Sequence, residues 1–236
     1  YWHLVNSIYK ALGTAGSKYP PIVLAAWNGE LQTPLEEKQW EAACALTGKI
    51  ASNARFRLIH FNFLHRTYVT PIVRNRIDPA RSPGCHRCPA QLATFLHLAW
   101  SCPEVYSFWS MVVREIGGAT NRICPLDPVP CLLTGVQRGS KKHKMHRRFA
   151  LLLLVLAKRR VAIHWMGKNG PQIQKWKEDV AEWAVAEETR LRKCRKDVKR
   201  EEDLGVWRQI SNKFVHQGSY EGEASTEIEA ESDSEI

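Results

Sequence analysis

The sequence predicts a mostly α fold, with helical segments around a small Cys3His knuckle and a disordered acidic tail at the C-terminus. Three observations carry that expectation. Apolar residues recur at helical spacing along most of the chain, with little of the alternation that marks strands. Three cysteines and two histidines, His86 and His97, fall within the 18 residues from Cys85 to Cys102. From Ser219 onward there are seven acidic residues and no Lys or Arg, a composition too poor in apolar surface to fold.

Each element follows from local pattern. Leu4, Val5, Ile8 and Leu12 share a helical face, and Gly13, Gly16, Pro20 and Pro21 end that helix. Thr33-Pro34-Leu35-Glu36 reads as an N-cap, a first-turn proline and an acidic first turn. The helix it opens runs through Trp40, Ala43, Cys44 and Leu46 and stops near Gly48. Ser52 opens the next, with Phe56, Ile59, Phe63 and Leu64 on one side, until Val69-Thr70-Pro71 breaks it. A short turn over 72–77 follows, and 78–84 is a loop into the cysteines. Residues 105–116 make a short aromatic helix with Phe108 and Trp109, and 117–139 a proline-rich connection with an apolar turn near Leu132. Two long helices over 143–166 and 172–200 are separated by Lys168-Asn169-Gly170-Pro171, a strong turn signal. Trp176, Val180 and Trp183 stand at i, i+4 and i+7, an interhelical core stripe.

The organisation is therefore an N-terminal segment (1–35), a helical region (36–116) containing the knuckle (85–102), a Pro/Gly-rich connection (117–142), a helical hairpin (143–200) and a partly disordered acidic tail (201–236). No internal repeat is present. The longest apolar stretch, 149–157, runs straight into Lys158-Arg159-Arg160 and reads as a buried helix face, so no membrane partner is expected. The chain opens on Tyr1 with neither Met nor a signal-peptide pattern, and is expected to be a fragment of something longer.

The net charge of +10 understates how basic the body is. Setting aside the seven acids of residues 219–236 leaves 34 bases against 17 acids, a net +17 for residues 1–218. Such a body usually meets a polyanion, and nucleic acid is the commonest one; a well-solvated surface is the alternative.

The sharpest feature is Cys85-x2-Cys88-x8-His97-x4-Cys102. A C-x2-C pair lets two thiolates converge on one cation from a tight turn, while His97 and Cys102 supply the other two corners. Three thiolates and an imidazole close a tetrahedral site suited to Zn2+, with no position left for water, so the expected role is structural. Soft thiolates argue against Mg2+ or Ca2+. His86, between the two cysteines, is an alternative ligand to His97. Cys44, Cys124, Cys131 and Cys194 lack partners at such spacing and read as packed side chains in a reduced, intracellular protein. Phe95 and Trp100 flank His97 and are read as the knuckle's small core ahead of a base-stacking surface.

Beyond the cluster, residues 36–116 resemble the region just behind the reverse transcriptase of LINE-type (non-LTR) retrotransposons. The resemblance rests on Asn53-Ala54-Arg55-Phe56-Arg57, on Phe63-Leu64-His65-Arg66-Thr67-Tyr68-Val69-Thr70-Pro71 (similar to that family's His-Arg-x-Tyr-x-Thr-Pro), on the cysteine spacing, and on Cys102-Pro103-x-Val105-x3-Phe108-Trp109. It continues more loosely through Ala157-Lys158-Arg159-Arg160-Val161-Ala162 and Trp165. Residues 1–33 would follow the polymerase thumb. The resemblance implies a tail that binds the element's template RNA and assembles a ribonucleoprotein, in nucleus or cytoplasm, with the rest of the reverse transcriptase polyprotein as partner. Polymerase chemistry needs paired aspartates holding Mg2+, and the chain has no Asp-Asp pair; nor is there length for an endonuclease domain. A catalytic role is not expected.

The function expected is a non-catalytic module that binds single-stranded RNA, or DNA. Phosphate contacts would come from Arg55, Arg57, Arg66, Arg74, Arg76 and Arg87, and from Lys141, Lys142, Lys144, Arg147 and Arg148; the last set also resembles a nuclear-localisation cluster. The alternatives are a helical interaction scaffold braced by zinc, and a truncated retroelement remnant with no selected function.

Overall fold

The computed structural model describes residues 22–48, 50, 53–120, 124–135 and 144–193, with Gly205, Arg208, Asn212 and Phe214; for 120, 144–148 and 191–193 only the backbone is described. The expected helix over 4–12, the tail apart from those four residues, Cys194 and the helical extension to 200 lie outside these residues. The described residues are helical, with no strand among them. The chain divides into two units, 1–42 and 43–236.

In the first unit, α1 (Ile22–Asn28) buries Leu24 and Trp27, and the loop after it buries Leu31 and Leu35. The Asn28 side chain pins that loop, accepting from Leu35 N at 2.8 Å and donating to Leu35 O at 3.3 Å. That clamp is why α2 (Glu37–Thr47) starts later than the Thr33-Pro34 signal suggests: Leu35 is held in the loop. Gln39 Oε1 instead accepts from the Glu36 amide at 2.9 Å, capping the first turn. The boundary between the units falls within α2, at Ala42.

The second unit is built on α6 (Lys144–Ile163). Every residue from Phe149 to Ala157 is buried, because α3 (Ala54–Leu64), α5 (Pro103–Thr120) and α7 (Ile173–Lys193) all pack on it. An apolar run of this kind, apolar on all sides, needs neighbours on all sides. α3 starts one residue after the Ser52 expected as its opening: Asn53 is the cap, its Oδ1 accepting from Arg55 N at 2.9 Å, while Ser52 lies outside the described residues. α4 (Pro71–Ile77) is a helix where a turn was expected. Thr70 Oγ1 caps it, and Pro71 sits at its first position, where a missing N–H costs nothing.

α5 runs on to Thr120, through Gly117 and Gly118, which the sequence assigned to the connection. Val105, Phe108, Trp109, Val112 and Ile116 are all fully buried; that burial outweighs the roughly 1 kcal/mol each glycine costs a helix. The apolar turn near Leu132 is a π-helical turn, Val129–Thr134, burying Cys131, Leu132 and Leu133. Gly135 ends it at φ 66°, and a Cβ there would stand 2.0 Å from Leu151 Cδ2. Gly135→Ala combines a left-handed conformation with an overpacked core. We expect it to destabilise the fold by about 2–4 kcal/mol, measured by urea unfolding; a change below about 0.5 kcal/mol would refute the close approach.

The α6–α7 hairpin forms as expected, with Trp176 and Val180 fully buried and Trp176 Nε1 donating to Leu153 O at 3.2 Å. Phe214 caps the Trp176 ring edge-on at 5.6 Å. The basic run at the end of α6 is not a solvated face. Lys158 is 2% exposed, and Arg159 and Arg160 both grip Asp179 of α7, Arg160 through Nε at 2.5 Å and Nη2 at 2.6 Å.

Candidate metal centre

The loop that presents the cysteines is closed on itself by two backbone bonds, Cys85 N to Ala90 O and Ala93 N to Pro83 O, both 2.9 Å. Gly84 lets these strands of loop approach, since a Cβ there would meet Ala90 O at 3.1 Å. Within the turn, Arg87 N donates to Cys85 Sγ at 3.4 Å, a bond that favours the thiolate.

The other two ligands come from the π-helical turn His97–Ser101. On an α-helix, residues five apart point about 140° away from one another. Here Cys102 N bonds His97 O at 2.9 Å, the i+5 bond that widens the turn and brings both side chains to one side. Thr94 Oγ1, accepting from His97 N at 3.1 Å, fixes where that turn starts.

The Cys85, Cys88, His97 and Cys102 ligand atoms lie within 4.8 Å of one another. Cys85 Sγ and Cys102 Sγ are 3.9 Å apart, and Cys88 Sγ and His97 Nε2 3.3 Å. Around a zinc-sized ion bound tetrahedrally, sulfur–sulfur edges measure about 3.8 Å and sulfur–nitrogen edges about 3.5 Å. The four residues therefore fit one metal ion. His97 belongs to the cluster, and His86 does not. The thiols repel one another as thiolates. Burial works to raise Cys85, but hydrogen bonds from the Arg87 amide, the His97 side chain and Cys88 outweigh it and bring it down to about 6. Burial, then the neighbouring Cys85 charge, pushes Cys102 up to about 11. A cation in their midst would reverse the second effect.

The site is anchored by aromatic packing. Phe95 and Trp100 are buried, as the core reading of these rings expected. Phe95 meets Trp165 at 4.9 Å and Phe63 at 6.3 Å, while Tyr68 meets Trp165 at 5.1 Å. Trp165 Nε1 donates to Val69 O at 2.7 Å, and Trp109 Nε1 to Ala99 O at 2.9 Å. The rings join the knuckle to α3, α5 and the end of α6.

No known protein-family model matches the chain.

The expected phosphate-binding arginines divide into two groups. Arg55, Arg74 and Arg76 are exposed and Arg57 half-exposed, on α3 and α4. Arg87 is different: its guanidinium donates to His164 O at 2.9 Å and Leu98 O at 3.4 Å, with Nε buried. It clamps the knuckle to α6, and the expected phosphate contact gives way to that role. Arg66 sits at φ 54° in the helix-end motif of α3, where Thr67 N bonds Asn62 O and Arg66 N bonds Phe63 O. Glycine usually holds this place; here the guanidinium lies 5.0 Å from the Phe95 ring centre, in cation–π contact. Lys141 and Lys142 lie outside the described residues, and Lys144, Arg147 and Arg148 are placed on α6 by backbone alone.

Sequence reasoning missed the polar cluster under α3. Lys158 Nζ bonds His60 Nδ1 at 2.8 Å and Leu132 O at 2.7 Å, joining three elements. Burial and the nearby Lys158 lower His60 to about 2; its Nε2 makes no hydrogen bond of normal geometry, although the Ala43 backbone weakly favours the protonated ring. Burial brings Lys158 down to about 7, with Cys131 opposing. The only signal was a lysine ending an otherwise unbroken apolar run.

Proposed function

We propose that the chain is a non-catalytic nucleic-acid-binding module, folded around a structural Zn2+ and similar to the tail of a LINE-type reverse transcriptase. The observation that carries this reading is the Cys3His cluster, its ligand atoms within 4.8 Å of one another, within the motif order described above. Thiolate and imidazole donors at these edges suit Zn2+. With four protein ligands no position is open for water, which favours a brace over a hydrolytic centre. No helix among the described residues is long and apolar enough to cross a membrane. The basic body and the exposed arginines of α3 and α4 favour a polyanion, and single-stranded RNA is the preferred ligand, in a ribonucleoprotein.

The test is binding of single-stranded RNA at two salt concentrations, with the whole chain and with residues 219–236 removed. Tight, salt-dependent binding with zinc bound supports the reading. Absence of binding in both forms refutes it. Replacing Arg55 and Arg57 together by Ala should remove about two phosphate contacts and flatten the log–log salt slope by about 1.4; an unchanged slope would move the contact surface off α3.

A second reading is favoured by a specific observation. Leu58 and Phe61 on α3, Val69, and Val73 and Ile77 on α4 are exposed, as a protein-interaction scaffold would require. Absence of RNA binding would leave that reading in the lead.

A further inference from the structure

A groove of about 510 Å³ runs between the first half of α3, the end of α6 and the middle of α7. Half-buried Phe56, Ile59 and Trp183 give it an aromatic and apolar floor, and Arg55, Arg159, Asp179 and Glu182 are its charged lining, with Arg55 and Glu182 exposed at the rim. Trp183 belongs to the same stripe as Trp176 and Val180, yet only those two are fully buried. The Trp183 ring instead packs against Phe56 with centroids 5.5 Å apart and planes at 34°, half-open to the groove.

The charges beside these rings are ordered. Arg159 Nη1 holds both Asp179 oxygens at 2.8 Å while 41% of its side chain remains exposed. Arg160 takes the same carboxylate, so this trio keeps one positive charge in excess. Arg55 adds another and Glu182 cancels one: the lining alone is balanced, and Arg160, outside the lining but paired with Asp179, leaves one positive charge in excess. A partner helix would call for a long apolar stripe. A short aromatic floor framed by guanidinium groups is instead the pattern that takes a planar ring with phosphates beside it.

We propose that this groove is a stacking subsite for a base of single-stranded nucleic acid. Trp183 and Phe56 form the platform, and Arg55 and Arg159 face the adjoining phosphates. The proposal rests on the nucleic-acid reading above and locates where the strand is held, on the groove side of α3.

The experiment uses the zinc-loaded full chain and fluorescently labelled oligouridylate, with oligodeoxythymidylate in parallel to separate RNA from DNA. Trp183→Ala should weaken binding on the order of 10-fold without altering the salt slope, because stacking releases no counterions. Trp183→Phe should retain most of the affinity, and Glu182→Gln, on the exposed rim, should tighten binding by about 2-fold at low salt. With the unaltered protein, a 4-thiouridine strand should photo-crosslink to the peptides carrying Trp183 or Phe56. Wild-type binding that is indifferent to Trp183 and Glu182, with crosslinks elsewhere, overturns the subsite and leaves the groove to a protein partner. No wild-type binding at all overturns the nucleic-acid reading itself.

Discussion

Stripping the metal from the Cys3His centre is expected to release about one Zn2+ per chain and lower the melting temperature by about 10 °C or more. Structural zinc sites contribute about 10–16 kcal/mol of apparent binding energy at neutral pH, comparable with the whole stability of a domain, about 5–15 kcal/mol. Even a third of that, in a unit of this size, moves the midpoint by about 2–4 °C per kcal/mol. The loss should not stay local. The turn that carries His97 and Cys102 also carries Leu98, Ala99 and Trp100, all buried, and Arg87 inside the C-x2-C turn clamps the end of α6. Near-ultraviolet dichroism of the Phe95–Trp165 cluster should therefore decay together with zinc release. Cys102→Ala, at the most buried ligand, should reproduce the effect without chelator. Melting that is unchanged in chelator, at full zinc release, would sink the structural role.

The second large effect is a stability that climbs with alkaline pH. Lys158 has its folded pKa near 7, against an ordinary value of 10.5. Between those values the unfolded chain holds a proton that the folded chain does not, so stability rises as pH rises from about 7 to about 10.5. Below about 7 both states are charged and the full penalty of the buried ammonium is felt. The span is on the order of a few kcal/mol. His60, the group facing Nζ from α3, stays neutral across this window because its folded pKa is about 2. Cys131, the other nearby group, is held well above the usual thiol range by the adjacent Cys124 side chain and by burial; it stays a thiol when folded but ionises above about 9 when unfolded, so above that pH it works against the gain. Lys158→Met fills similar volume without the charge. Its melting temperature should lack the rise that Lys158 gives the wild type, so the difference between the two should change steadily from about pH 7 upward; parallel profiles for the two proteins would refute the assignment. His60 acts in the same direction at lower pH: its folded value lies below the ordinary 6.5, so stability falls as pH falls from 6.5 toward 2. Metal loss overlaps that acid range, and above about 9 the raised Cys102 and Cys131 thiols oppose the Lys158 gain, so the comparison with Lys158→Met is sharpest between about 7 and 9.

Much of this architecture was legible in local pattern. Spacing picked out the three cysteines of the candidate site and left His86 beside His97 as an alternative fourth member; the structure brings His97, and not His86, to the cluster. The long helices were identified by periodicity, the hairpin between α6 and α7 by Asn169-Gly170-Pro171. Element ends were less legible. α2 starts late because a side chain seven residues away, Asn28, holds Leu35, and α5 runs on through two glycines after turns whose apolar face is buried by its neighbours. Neither cause is local to the residues concerned.

The fate of the charges was the least legible. By itself, the sequence determined which residues can ligate a soft cation, where the helices lie and how basic the body is, since these depend on residue type and on spacing along the chain. Only the tertiary structure decided which basic residues remain at the surface. Arg87 is spent on two carbonyls, Arg160 on Asp179, and Lys158 on His60 and Leu132, while Arg159 shares Asp179 yet stays 41% exposed and Arg55, Arg74 and Arg76 are exposed. All are alike in sequence. What separates them is the company each one meets from segments up to 98 residues away, because a buried charge or donor must be paired by whatever the packing brings to it.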